Sequence, residues 1–193
     1  MNDQTKAKWE KHYHSCSSEY PLAAEVLLNN KHILPEYGTA LDLACGRGAN
    51  AICLAENNLE TSAWDISSSA LEQLLNHAKE NNLIINIKQR DITKNPPETE
   101  SFDVIVVSRF LDRNLIPKIK NAIKHNGLIF YQTYIIDKVD ESGPSNPDYL
   151  LKHNELLSMF TNWKIIYYKE EGRIGDIKKG FRNQAMIIAQ KTS

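Results

Sequence analysis

The residues with the clearest chemical potential are the eight at positions 41–48, LDLACGRG. The first four form a mostly apolar run typical of a buried strand, and Gly46 and Gly48 interrupt it before the helical pattern ANAICLAENN. Glycine lets a ligand approach the backbone closely, and the first N–H groups of the helix offer hydrogen-bond donors. This order of elements favours an adenine-containing cofactor. With Ala51, the spacing also fits the GxGxxA form of the dinucleotide fingerprint.

Three carboxylates accompany this loop. Asp65 and Asp91 end the second and third predicted strands, and Asp42 precedes the glycine turn by four residues. A carboxylate after the second strand can accept both hydroxyls of a ribose, and one after the third can accept from an adenine amino group. Asp42 could instead hold the loop or reach a ligand amine through water. Each aspartate alone would be an ordinary turn residue, but together with the loop they favour an adenosine-bearing ligand.

The elements that must position these residues alternate along the first two thirds of the chain. Apolar runs predict five strands, and amphipathic patterns between them predict helices, which indicates a doubly wound parallel sheet. The predicted strands are 39–44, 60–65, 84–91, 102–108 and 127–134, and the predicted helices are 48–58, 68–81 and about 112–125.

The pattern changes after the irregular segment 135–151. The runs at 163–170 and 183–190 read as strands separated by a polar loop, and we expect them to pair as an antiparallel hairpin at the sheet edge. The sequence thus predicts an α/β fold with a mostly parallel, Rossmann-like sheet of seven strands, forming a single domain over residues 1–193.

Bulk properties restrict the classes of function. The chain has 193 residues, 41% hydrophobic content and a formal net charge of −1, so no global positive field favours nucleic acid as a partner. The three cysteines form no CxxC pair, and no run is apolar enough for a signal peptide or a membrane span. We therefore expect a cytoplasmic protein; its oligomeric state is not indicated.

Five successive motifs resemble those of class I S-adenosylmethionine-dependent methyltransferases: LDLACGRGANAICLA, TSAWDIS, RDIT, FDVIVVSRFL and NGLIFYQTY. Within that superfamily the chain is most similar to the small tellurite-resistance-type methyltransferases, through Trp9, Tyr13, the AWD triplet and LLKHNELLSMFTNWKIIYYKE. The resemblance runs from about residue 9 to 190. It implies an enzyme that uses S-adenosylmethionine and a small-molecule methyl acceptor.

The resemblance also implies roles for individual residues. The glycine loop would wrap the methionine portion of the cofactor, Asp65 would bind the ribose, and a helical N-terminal lid over residues 1–35 would cover the site. The cofactor residues implied in this way are Trp9, Tyr13, Asp42, Ala44, Gly46, Gly48, Asp65, Ile66, Asp91, Ile92, Ser108 and Arg109. Ala44 replaces the first glycine of the common pattern, a small change that the loop should tolerate.

The acceptor site is less well marked. No catalytic side chain follows from the pattern, although a hydroxyl or amine acceptor would need a general base, for which His153 and Glu155 are candidates. A histidine–arginine pair implied by the resemblance is replaced here by Gly172-Arg173, while Arg182 lies at the expected basic position. The candidates for the acceptor site are Arg109, Tyr134, His153, Arg173 and Arg182. Residues 135–155 and 172–182 are predicted to form a mobile cover over it.

Two other functions fit the same residues. The GxGxxA spacing and Asp65 suit an NAD-dependent oxidoreductase, although no substrate domain follows. A cofactor-binding module without catalysis is the third reading, because the acceptor residues are the weakest part of the pattern. His12, His14 and Cys16 in HYHSC alternate like metal ligands, but no second cluster accompanies them and we predict no metal site.

Overall fold

The computed structural model describes residues 3–14 and 20–192. Seven strands form one sheet in the order β3-β2-β1-β4-β5-β7-β6. The strands are β1 (Thr39–Leu43), β2 (Glu60–Asp65), β3 (Ile85–Gln89), β4 (Phe102–Ser108), β5 (Ile123–Tyr134), β6 (Lys164–Glu170) and β7 (Gln184–Gln190). The first five strands pair in parallel, whereas β7 pairs antiparallel with both β5 and β6. The predicted fold class and the C-terminal hairpin are confirmed.

Helices cover both faces of the sheet, as a parallel sheet requires. The helices are α1 (Asp3–His14), α2 (Glu25–Leu28), α3 (Ala49–Glu56), α4 (Ser68–Glu80), α5 (Ile116–Ala122) and α6 (Glu155–Met159). Apolar side chains of α5 and α6 pack on one face, and those of α2, α3 and α4 pack on the other. None of the helices in the described ranges combines the length and apolar character needed to cross a bilayer.

The largest departure from the predicted elements lies between α5 and β5. A helix was expected to about residue 125 and a strand from 127, but α5 ends at Ala122 and β5 begins at Ile123. Ile123 pairs with Phe102, and the register then shifts so that Leu128 pairs with Val104. The polar residues and the Asn126-Gly127 turn signal within this irregularity hid the early start of the strand.

The N-terminal region divides into two parts. Val26 and Leu27 of α2 are fully buried, so this part of the predicted lid over 1–35 is a core helix. Its apolar run EVLL is too short to show this burial by periodicity. α1 packs against α4, and the ring of Tyr20 stacks on His77 of the same helix with centroids 3.7 Å apart.

The topology sets the place of the functional site. β1 and β4 are neighbours although they are not consecutive, and the helices that follow them, α3 and α5, lie on opposite faces. Ligands of open α/β sheets bind at the carboxyl ends of the strands at such a reversal. Because β6 is antiparallel to β7, it runs parallel to β5, and the loops after both strands reach the same edge.

Candidate functional site

The loop after β1 has alternate residues in the left-handed conformation. Ala44, Gly46 and Gly48 have φ angles of 55°, 53° and 74°. A Cβ on Gly46 would collide with the hydroxyl of Tyr13, and one on Gly48 would lie 2.5 Å from the methyl carbons of Leu74. The positive φ angles therefore favour glycine at both positions, and a side chain at either would have to displace a neighbouring one. Ala44 adopts this conformation at a cost of about 1–2 kcal/mol, which glycine would avoid.

Asp65 ties this loop to the end of β2. Its Oδ2 accepts a hydrogen bond from the Gly46 N–H at 2.7 Å, and its Oδ1 accepts one from the Ser67 N–H at 2.9 Å. Burial raises the pKa of the Asp65 carboxyl, although these backbone donors act in the opposite direction. The side chain is therefore more than an ordinary turn residue. A carboxylate has about four lone-pair sites, so the N–H groups of Gly46, Ile66 and Ser67 leave part of its acceptor capacity for a ligand.

Asp42 lies beneath the loop and is fully buried. Its Oδ2 accepts from the Ala51 N–H at 3.0 Å and its Oδ1 from the Asn50 Nδ2 at 3.2 Å, so it fixes the first turn of α3 against β1. Burial raises the pKa of Asp42 to about 7, because it outweighs these two hydrogen bonds, and the charge of Asp65 adds to the effect. Of its two predicted roles, holding the loop is the one that these contacts show.

Asn50 is a site residue that the sequence analysis missed. Besides Asp42, its Nδ2 donates to the Ser108 Oγ at 2.9 Å, and its Oδ1 accepts from the Ala24 N–H at 2.9 Å. One amide thus joins the ends of β1 and β4 and the entry to α2. The available signal was an asparagine directly after the glycine loop in an otherwise apolar helix.

The residues assigned to the adenine side lie at the ends of β2 and β3. Asp91 Oδ1 accepts from the backbone N–H and the hydroxyl of Thr93, at 3.1 and 2.7 Å. Ile92 is 3% exposed and packs in the core, whereas Ile66 is partly exposed and its carbonyl accepts from Gln89 Nε2 at 2.9 Å. Asp91 therefore stabilises the turn to which it belongs. The Ile66 side chain is more accessible to a ligand than the Ile92 side chain.

α1 brings the predicted residue Tyr13 to the glycine loop, with Trp9 beside it. The Tyr13 hydroxyl lies directly over Gly46, and the rings of Trp9 and Tyr13 stack with centroids 5.9 Å apart. Gln73 on α4 donates from Nε2 to the Tyr13 carbonyl at 3.0 Å.

Arg113, which the sequence analysis missed, joins the segment after β4 to the segment that follows β5. Its guanidinium binds both carboxylate oxygens of Glu155, at 2.6 and 2.9 Å, and donates to the carbonyls of Asp148 and Leu150. The hydrogen bonds from Arg113 are the main reason that the pKa of Glu155 is lowered, so Glu155 is a poor general base. Arg109 is exposed, with a φ of 54°.

The other acceptor candidates lie in the loops after β5 and β6. The guanidinium of Arg182 donates to the carbonyls of Gly172, Ile174, Asp176 and Lys179 at 2.6–3.0 Å, so it organises its own loop. The three further candidates have contacts of their own. Arg173 donates from Nε to the Lys138 carbonyl at 2.7 Å, exposed His153 lies 3.9 Å from Glu170, and the Tyr134 ring lies against Gly143.

The HYHSC motif falls partly on Cys16, which lies outside the described residues. His12 and His14 are exposed on the last turn of α1. Among residues 3–14 and 20–192, no three His, Cys, Asp or Glu side chains are grouped as metal ligands would be.

The residues present fit an adenosine-containing cofactor. The glycine loop places backbone where side chains cannot fit, the carboxylate of Asp65 retains acceptor capacity at the adjacent strand end, and Ile66 offers apolar surface beside it.

Comparison with known proteins agrees with this arrangement. The probable S-adenosyl-L-methionine-dependent methyltransferase TehB of Haemophilus influenzae is 28% identical over 149 residues, which cover 74% of this chain and 51% of that protein. A ubiquinone biosynthesis O-methyltransferase of Coxiella burnetii is 30% identical over 114 residues, covering 56% and 46% of the two chains. The chain thus spans about half the length of the curated relatives it matches.

Solved structures show the same fold. The crystal structure of TehB from Haemophilus influenzae superposes with a TM-score of 0.72 at 22% identity, over 95% of this chain and 67% of that one. A SAM-dependent methyltransferase from Aquifex aeolicus superposes with a TM-score of 0.66 at 15% identity, over 96% and 97% of the two chains. The chain has the methyltransferase fold, and the model of the tellurite resistance protein TehB matches residues 5–190, so the chain belongs to the TehB family.

Proposed function

We propose that this protein is an S-adenosylmethionine-dependent methyltransferase that acts on a small-molecule acceptor. The observation that carries the proposal is the 2.7 Å hydrogen bond between the Gly46 N–H and Asp65, which joins the glycine loop to the carboxylate at the end of β2. The TehB family match over residues 5–190 favours this cofactor over a nicotinamide.

In this proposal each element holds one part of the cofactor. Ala44, Gly46 and Gly48 lie along its methionine portion, Asp65 accepts from the ribose hydroxyls, and Ile66 flanks the adenine. The turn containing Asp91 and Ile92 closes the adenine end. Ser108 and Arg109 border the methionine end, where the Asn50 contact fixes the Ser108 hydroxyl at 2.9 Å.

The chemistry supplied by the bound cofactor is a methyl group on a sulfonium, which an acceptor atom can take by in-line displacement. The protein then mainly has to hold the acceptor in line and exclude water, a positioning effect worth up to about 7–11 kcal/mol. We assign the water exclusion to α1 as a lid carrying Trp9 and Tyr13. Methyl transfer itself requires no catalytic side chain, whereas a hydroxyl or amine acceptor would also need a general base.

A small-molecule acceptor is supported by the composition and by a relative. The net charge of −1 offers no global attraction for nucleic acid. The ubiquinone biosynthesis O-methyltransferase of Coxiella burnetii is 30% identical over 114 residues. Because the guanidinium groups of Arg173 and Arg182 donate to backbone carbonyls, we do not assign them to an anionic acceptor. Arg109, Tyr134 and His153 remain our candidates for its site.

Transfer of a labelled methyl group tests this proposal. The protein, with S-[methyl-³H]adenosylmethionine, is screened against metabolite phenols, thiols, metalloid oxyanions and RNA. We expect transfer to a small molecule, and we expect Arg173→Met to retain it. Transfer only to RNA would contradict the acceptor class. An absence of transfer together with an absence of cofactor binding would overturn the function itself.

A further inference from the structure

Glu10 makes an unusual set of contacts for a residue on the outermost helix. Its carboxylate accepts hydrogen bonds from the Ser68 N–H at 2.8 Å, the Ser69 N–H at 3.0 Å, the Ser68 hydroxyl at 2.9 Å and the Ser67 hydroxyl at 2.9 Å. All of these donors belong to the first turn of α4 or to its N-cap. A side chain of α1 therefore caps a different helix, 57 to 59 residues away in sequence.

The physical reason for this contact is the chemistry of a helix start. The first N–H groups of a helix have no intrahelical acceptor and carry a partial positive charge, so a carboxylate is stabilised there. The Ser67 hydroxyl accepts from the Ala70 N–H at 3.3 Å, whereas the Ser68 and Ser69 N–H groups donate to Glu10. Burial raises the pKa of Glu10, but the hydrogen bonds from Ser69 and Ser68 outweigh it and lower the pKa to about 2. Glu10 is thus ionised at neutral pH.

The contact fixes a second residue of α1. Tyr13 follows Glu10 by three residues and therefore lies on the same side of the helix. Its carbonyl accepts from Gln73 of α4, and its hydroxyl lies over Gly46. Asp65 is 7% exposed, and the charge of Glu10 contributes to the raised pKa of its carboxyl, so α1 lies beside it. The carboxylate that we assign to the ribose is thus nearly closed off in the conformation with α1 docked.

We propose that Glu10 is a positioning residue that holds α1 across the cofactor site and thereby limits how fast the cofactor enters and its demethylated product leaves. The proposal rests on the proposed function, since it concerns the same site. Exchange requires α1 to separate from the start of α4, which breaks the four hydrogen bonds of Glu10. Redocking returns Tyr13 to Gly46 and closes the site.

The test compares Glu10→Gln with Glu72→Gln, the same chemical change at an exposed position on α4. Dissociation of S-adenosylhomocysteine is followed by stopped-flow displacement, and amide hydrogen exchange of α1 is measured on the same proteins. We expect Glu10→Gln to release the product about fivefold to tenfold faster than the wild type, the scale of a lost helix cap, with faster exchange in α1. Glu72→Gln should match the wild type in both measurements.

A double-mutant cycle ties the effect to the contact. Ser68→Ala removes one donor to Glu10, so the dissociation rates of Glu10→Ala, Ser68→Ala and the double variant should be non-additive. Equal rates for the wild type and Glu10→Gln, or additive effects in the cycle, would overturn the role of Glu10. Failure of the wild-type protein to bind the product would instead overturn the proposed function. Thermal unfolding of each variant confirms that the fold is retained.

Discussion

The two aspartates beside the glycine loop differ in what they can offer a ligand. Asp65 keeps part of its acceptor capacity at the strand end, whereas Asp42 is fully buried and uses its carboxylate to hold α3. Their charges also interact, since the charge of Asp65 contributes to the raised pKa of Asp42. The sequence predicted that both aspartates belong to the region of the glycine loop. It could not predict which of them holds α3 and which can face a ligand, because that depends on the contact with Asn50 and on burial.

The raised pKa of Asp42 predicts a pH dependence of stability. The carboxyl has an ordinary pKa of 3.8 in the unfolded chain and about 7 in the folded protein, so between these values the folded state holds a proton that the unfolded state has released. This contribution to the free energy of unfolding is complete below pH 4 and is lost as the pH rises through 7. Urea unfolding should therefore show the wild type losing stability from pH 5 to 7.5 relative to Asp42→Asn. Parallel profiles would contradict the assignment.

At the scale of elements, the segment 135–151 after β5 was predicted to be irregular and the segment after β6 to be a polar loop, and much of 135–151 is irregular. They are nevertheless held by specific contacts. Arg113 clasps residues 148–155, and the Asn183 side chain binds the Val139 N–H at 2.7 Å and Asp140 at 2.9 Å. Such long-range side-chain contacts leave no periodic signal in a sequence.

We predict that Arg113 sets the local stability of this cover. Arg113→Met removes its hydrogen bonds to Glu155 and to the carbonyls of Asp148 and Leu150. Loss of a hydrogen bond to a charged group costs about 1.5–3 kcal/mol, so amides of residues 148–155 should exchange at least about tenfold faster. Lys118→Met, at an exposed position on α5, is the matched control. Unchanged exchange in Arg113→Met would show that other contacts hold the segment.

For the whole molecule, the sheet was predictable because its strands are apolar and are separated by clear helices and turns. Because β1 to β4 are parallel, their carboxyl ends, and the predicted cofactor residues at or just after those ends, share one edge of the sheet. The early start of β5 and the burial of α2 could not be predicted, since a bulge and a four-residue helix carry no periodicity. The acceptor residues were the least predictable, because loop contacts determine which of them are already engaged.

Titration calorimetry with S-adenosylmethionine, S-adenosylhomocysteine and NAD tests the central claim most directly. We expect the first two to bind in the micromolar range and NAD far more weakly. Asp65→Asn keeps the shape of the side chain and should weaken binding by about 1.5–3 kcal/mol, whereas Glu60→Gln at the other, exposed end of β2 should not. Tight binding of NAD without binding of either sulfur compound would contradict the account and favour an oxidoreductase.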